Sequence, residues 1–123
     1  MENVIFSYTR QDAINDGTFI DVSDMAKEAG IKHPVAVTSN LYHTHIVPSA
    51  SQQESGQSIK GRLWDVLSMF AFCCRGMVGE TDGNMATFPV RFSGKEVTIW
   101  AFIEAQSMED PSPAINIMLP EDY

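Results

Sequence analysis

Hydrophobic positions along the chain change their period from 3.6 in the middle third to 2 in the last third. Ile59, Leu63, Val66, Leu67, Phe70, Cys73 and Cys74 recur at helical spacing. They predict a central helix over Ile59 to Arg75 with one wide apolar stripe. Lys60, Arg62, Asp65, Ser68 and Arg75 fall mainly off that stripe, and Trp64 and Phe72 widen it at the flanks. Further on, the alternating runs Ala86 to Phe92 and Lys95 to Ile103 flank the two residues Ser93-Gly94. A loop of that length fixes the register of a hairpin. Phe92 then faces Lys95, Arg91 faces Glu96, Val90 faces Val97 and Phe88 faces Ile99, which separates a charged pair from the apolar pairs. Pro89 has no N–H to give a ladder, so its strand belongs at an edge. A third strand, Ala114 to Leu119, follows the acidic loop Ser107 to Pro113.

The first half of the chain is punctuated more often. Val4 to Ser7 is a short apolar strand candidate. Thr9 caps a helix whose third position is Asp12 and which Gly17 closes. Phe19 to Val22 is a brief extended piece, and Ser23 caps a second helix that ends at Gly30. Pro34 to Thr38 reads as a strand with proline at its first position, where no donor is required. Ser39 starts a helix that stops before Pro48, although an extended reading of Tyr42 to Val47 fits nearly as well. Residues 49–58, rich in Ser and Gln, read as a mobile surface loop. Together these elements predict an α+β fold in one domain, residues 1–123, with the long helix packed on a mainly antiparallel sheet.

Charge adds a bias. Sixteen acidic and eight basic residues leave a formal charge of −8, and the basic residues form no run. Direct nucleic-acid binding, which needs a basic face, is therefore not expected. A negative surface instead suits a protein partner with a basic one, or serves only solubility. The two cysteines, Cys73 and Cys74, are adjacent, a spacing that strains a disulfide and closes no useful loop. No apolar stretch is long enough to cross a membrane. With no basic region or long apolar segment near Met1, a cytoplasmic location is expected.

Candidate chemistry is sparse, and no cofactor is implied. His43 and His45 could share a metal on a strand face, whereas on an α-helix they point about 200° apart. No further ligand pattern completes that site. Arg10 with Asp12, Asp16 and Asp21 forms a polar cluster that could do acid–base work or hold Mg²⁺, yet each acid also suits a helix cap or turn. Cys73 lies on the apolar stripe, where burial favours an inert thiol. Arg62 and Asp65 are spaced to pair across one helical turn. Trp64 beside them is either a core residue or a large amphipathic anchor for a partner.

The runs Ser7 to Gly17, Asp21-Val22-Ser23 and Ala26 to Gly30 carry a further signal. With Pro34 to Thr38, Gly61 to Leu67 and Ile115 to Pro120 in the same order, they resemble a family of small proteins borne by plasmids, phages and integrative elements. The resemblance covers most of the chain apart from residues 49–58, and the segment Tyr42 to Val47 is more histidine-rich than the pattern. It implies the setting of a mobile-element accessory gene and assigns no catalytic residue or substrate. The expectation is thus a small acidic protein that binds another protein, for example as an inhibitor of a host defence or nucleic-acid-binding complex of the anti-restriction or anti-CRISPR type. Trp64, Arg62, Asp65, Asp12 and Asp16 are the candidate partner contacts. A small metal- or carboxylate-dependent enzyme, and a homodimer joined through the meander's edge, are the alternatives.

Overall fold

A computed structural model describes residues 8–123, and the strand expected at Val4 to Ser7 lies outside the described residues. The first half alternates short elements: α1 (Arg10–Asp16), β1 (Phe19–Asp21), α2 (Ser23–Glu28), β2 (Val35–Thr38) and α3 (Ser39–Leu41), which runs into a π-turn over Tyr42–Ile46. After α4 (Ala50–Glu54) comes the long helix α5 (Ile59–Cys74). The strands β3 (Glu80–Asp82), β4 (Met85–Phe92), β5 (Lys95–Ala105) and β6 (Pro113–Met118) follow, then a 3₁₀ turn at Pro120–Asp122. The fold class is α+β.

The six strands of the described residues join one sheet in the order β1-β2-β6-β5-β4-β3. The hairpin has the expected register, with Phe92 paired to Lys95, Arg91 to Glu96, Val90 to Val97 and Phe88 to Ile99. Its turn places Ser93 at φ 53° and Gly94 at φ 83°, the doubly left-handed geometry that matches strand twist. Two features depart from a simple meander. β6 pairs in parallel with β2, joining Val35 to Ile115 and Val37 to Ile117, so that side of the meander is covered. On the other side the short β3 pairs with β4 only from Met85 to Thr87.

Period-2 alternation sorts the sheet into two unlike faces. Val35 and Val37, Ile115 and Ile117, Ile99 and Ala101, and Phe88 and Val90 point one way and are buried. They form one core with Leu63, Val66, Leu67, Phe70 and Cys73 of α5. The opposite face carries Asn116 between Arg10 of α1 and Glu104. Arg10 Nε donates to Asn116 Oδ1 at 2.7 Å, and the Asn116 amide donates to Glu104. Nearby, the Tyr123 ring stacks on Phe102 with centroids 4.7 Å apart.

Helix ends follow local chemistry, with some shifts from expectation. Thr9 and Asp12 form the capping box of α1, and Gly17 closes it at φ 87°. Ser23 does not cap α2. Its hydroxyl bonds to Asp21 and accepts the Val35 N–H at 3.0 Å, tying the start of β2 to the end of β1. Thr38 rather than Ser39 caps α3, and the helical reading of Tyr42 to Ile46 replaces the extended one. Residues 49–58, read as a loop, contain α4 with a Ser49–Gln52 capping box. Ser58 then caps α5, which ends at Cys74 with Arg75 as its C-cap. Among the described residues no helix is long and apolar enough to cross a membrane.

Candidate functional site

A concavity lies where α5 overhangs the outer edge of β4. It is a groove of about 470 Å³ walled on one side by Trp64, Asp65, Ser68, Met69 and Phe72, and on the other by Pro89, Val90, Arg91 and Glu96. The sequence builds it simply. Positions 64, 68 and 72 are successive i, i+4 neighbours on the helix, so they stack into one row along its flank. Trp64 is 42% and Phe72 36% exposed. Of its two readings the core one is thereby corrected, because beyond the β3 pairing β4 is the outermost strand beneath Trp64 and no further layer of the described residues covers that flank. Asp65 lies in the neighbouring row with Met69, whereas Glu96 reaches the rim from β5 and holds Arg91 at 3.7 Å in an exposed pair. Such a pair contributes little to stability.

Arg62 is not part of this surface. Despite its charge it is buried, and it does not pair with Asp65. Its guanidinium donates to the His45 carbonyl at 2.8 Å, to Ser93 Oγ at 2.8 Å and to Gln57 Oε1 at 3.3 Å. It also sits 5.7 Å from the Phe92 ring centroid. The residue is a strut that joins α5, the π-turn and the hairpin tip. Helical periodicity could not reveal this, since two of its three partners are 17 and 31 residues away.

The other candidates are separated by the fold. Asp12 caps α1, and Asp16 accepts the Tyr8 hydroxyl at 2.6 Å and the Thr18 N–H at 2.9 Å. Those two bonds hold the Asp16 carboxyl below its ordinary pKa. Asp21 binds Ser23 and lies near enough to Arg10 to favour its charge, but the Arg10 guanidinium bonds Asn116, and Asp12 and Asp16 are held elsewhere. The polar cluster therefore does not converge on a common point. His43 packs edge-on against Tyr42 while the His45 ring stacks on Phe92 at 5.2 Å. Among the described residues no three His, Cys, Asp or Glu side chains come together at metal-binding distance. Cys73 is buried with its thiol directed at the Glu80 and Thr87 carbonyls, whereas Cys74 is exposed. Partial burial raises the Cys74 pKa, which works against thiolate chemistry.

Burial lowers the His45 pKa from its ordinary value, with Lys95 and Arg62 adding to the effect. A group whose folded pKa lies below its unfolded one costs stability as the pH falls through that interval, because the unfolded chain binds the proton more readily. Wild-type protein is thus expected to lose stability relative to His45→Phe between pH 7.5 and 5.5. Urea midpoints of the two proteins across that range measure the difference. A constant difference would count against the assignment.

A smaller hollow of about 330 Å³ lies on the other flank of α5, beside Lys32, His33 and Arg75. The acids of the groove and these basic residues thus lie on opposite sides of one helix. Of the groove residues, sequence reasoning singled out Trp64 and Asp65, and it placed Pro89 at an edge. It missed the half-buried Met69 and the exposed Phe72 as walls, because an apolar residue on a helix flank reads as core until the limit of the sheet is known.

The sequence model of a family of unknown function (DUF6573) matches residues 1–123, and the chain belongs to that family. No curated protein and no solved structure matches the chain. Family membership thus brings no activity with it, and the geometry must carry the functional reading.

Proposed function

We propose that this family member is a binding protein that acts on a protein partner through the groove between α5 and β4. One observation carries the reading: Trp64 and Phe72, large apolar side chains exposed by more than a third, line the same groove as Met69. Exposed aromatic anchors in a concave site are the usual energetic centre of a protein interface. The candidate catalytic clusters are meanwhile committed to caps, turns and struts. The charge of −8 and the acid Asp65 in the groove wall favour a partner with a basic surface. In the mobile-element setting that the sequence resemblance implies, such a protein acts as an accessory that occupies and inhibits a host complex.

The test compares wild type with Trp64→Ala/Phe72→Ala as affinity baits in host cells. These side chains are exposed, so the double variant is expected to fold with a melting temperature close to wild type. A basic protein recovered in stoichiometric amount by wild type is expected to fall at least about tenfold with the variant. Equal recovery by both baits, or no stoichiometric partner for wild type, would contradict the proposal.

A further inference from the structure

The groove has a backbone wall as well as an apolar one. From the Ser93-Gly94 turn, hydrogen-bonded and non-hydrogen-bonded pairs alternate down the β4–β5 ladder. Phe92, Val90 and Phe88 direct their N–H and C=O groups at β5, whereas Arg91 and Thr87 direct theirs, and Pro89 its carbonyl, outward. The Ile103 N–H donating to the Asn84 carbonyl at 2.9 Å sits in the same phase at the far end. Outward of β4, β3 pairs with Thr87 through Glu80 and goes no further. Upstream of Glu80 the chain leaves the strand line at Gly79, where φ is 65° and an added Cβ would lie 2.1 Å from the Thr87 carbonyl. The strand position beside Pro89 and Arg91 is therefore empty of this chain's own described backbone. It is bordered by the Pro89 carbonyl and by both backbone groups of Arg91.

We infer that the partner enters this position as an extended segment, antiparallel to β4 and in line with β3, adding a strand to the sheet. The inference rests on the groove being the partner site and names how that site is filled. Strand addition takes affinity from main-chain hydrogen bonds and specificity from alternate side chains. Every second residue of the segment would face the α5 flank and meet Trp64, Met69 and Phe72. A lysine or arginine in that set would meet Asp65. A second copy of this chain is the poorer occupant. Each copy carries −8, and antiparallel pairing of two β4 edges brings the two Arg91 side chains close together. Pro89 removes one donor from the edge, which limits indiscriminate pairing and leaves recognition to the side chains.

The probe is a library of displayed random octapeptides, selected on wild type and counter-selected on Trp64→Ala/Phe72→Ala. The selected peptides are expected to carry apolar residues at alternate positions, with a lysine or arginine on the same alternation. Arg91→Pro and Arg91→Ala then separate main chain from side chain. Both lose the guanidinium, but only proline loses the outward N–H, and at this position that N–H serves no bond within the sheet. A synthetic selected peptide is expected to bind Arg91→Pro about tenfold more weakly than Arg91→Ala, the effect of one hydrogen bond. Where Arg91→Pro melts below wild type, N-methylation of the peptide amides facing β4 makes the same test and is expected to abolish binding. Peptides that bind both Arg91 variants equally, tolerate N-methylation or show helical i, i+4 spacing would overturn strand addition while leaving the groove as the site. Peptides indifferent to Trp64→Ala/Phe72→Ala, or no enrichment at all, would overturn both.

Discussion

Replacing Arg62 by leucine is expected to remove about 3 kcal/mol of folding stability, a large part of what a domain of this size holds. The side chain is 6% exposed and makes three charge-assisted hydrogen bonds. Such bonds are each stronger than neutral ones. Leucine would leave the His45 carbonyl without its donor and would end the stacking on Phe92. The Ser93 hydroxyl is exposed and turns to water, so its loss is the smallest part. Arg62→Lys keeps the charge but offers a point ammonium in place of a planar fork, and should recover less than half of the effect. Chemical denaturation of the three proteins decides the matter. A loss below about 1 kcal/mol for Arg62→Leu would mean that the strut does not hold the hairpin tip to the helix.

The larger loss, about 4 kcal/mol, is expected for Phe88→Ala. Phe88 is 1% exposed at the middle of β4 and packs against Phe70 of α5 with centroids 5.9 Å apart. Its removal deletes an aromatic contact between the long helix and the strand that borders the groove. Phe88→Leu keeps most of the volume and should cost no more than about 1.5 kcal/mol. Denaturant midpoints give both values, and near-equal losses would show that the site collapses around the smaller side chain. The contrast with Trp64 is instructive. Two large aromatic residues lie on one helix–strand layer, one buried in the core and the other exposed in the groove.

That difference marks the limit of what sequence periodicity carries. The Ser93-Gly94 hairpin was legible residue by residue, because a two-residue turn between alternating runs leaves only one register that separates its faces. The extent of α5 was legible for a similar local reason. Arg62 was not, since a charged residue off an apolar stripe reads as solvent-facing, and its acceptors come from the π-turn and the hairpin tip. β3 was missed because Glu80, Thr81 and Asp82 are polar and exposed. Only the Gly83-Asn84 turn and its pairing with β4 make them a strand. The parallel β2–β6 pairing was hidden because four consecutive buried residues in β2 specify no neighbour. A third of the groove's lining could be read, in Trp64, Asp65 and the edge position of Pro89. The groove itself depends on where β3 stops, which is a property of tertiary structure.

The central claim, that the α5–β4 groove is the surface that meets a partner, is tested most directly by site-specific photo-crosslinking in host cells. A photoreactive residue is placed at Ser68, in the middle of the groove wall, and in a second protein at Gln11, exposed on α1. One discrete crosslinked protein is expected from position 68 and none from position 11. The same product from both positions, or from position 11 alone, would contradict it.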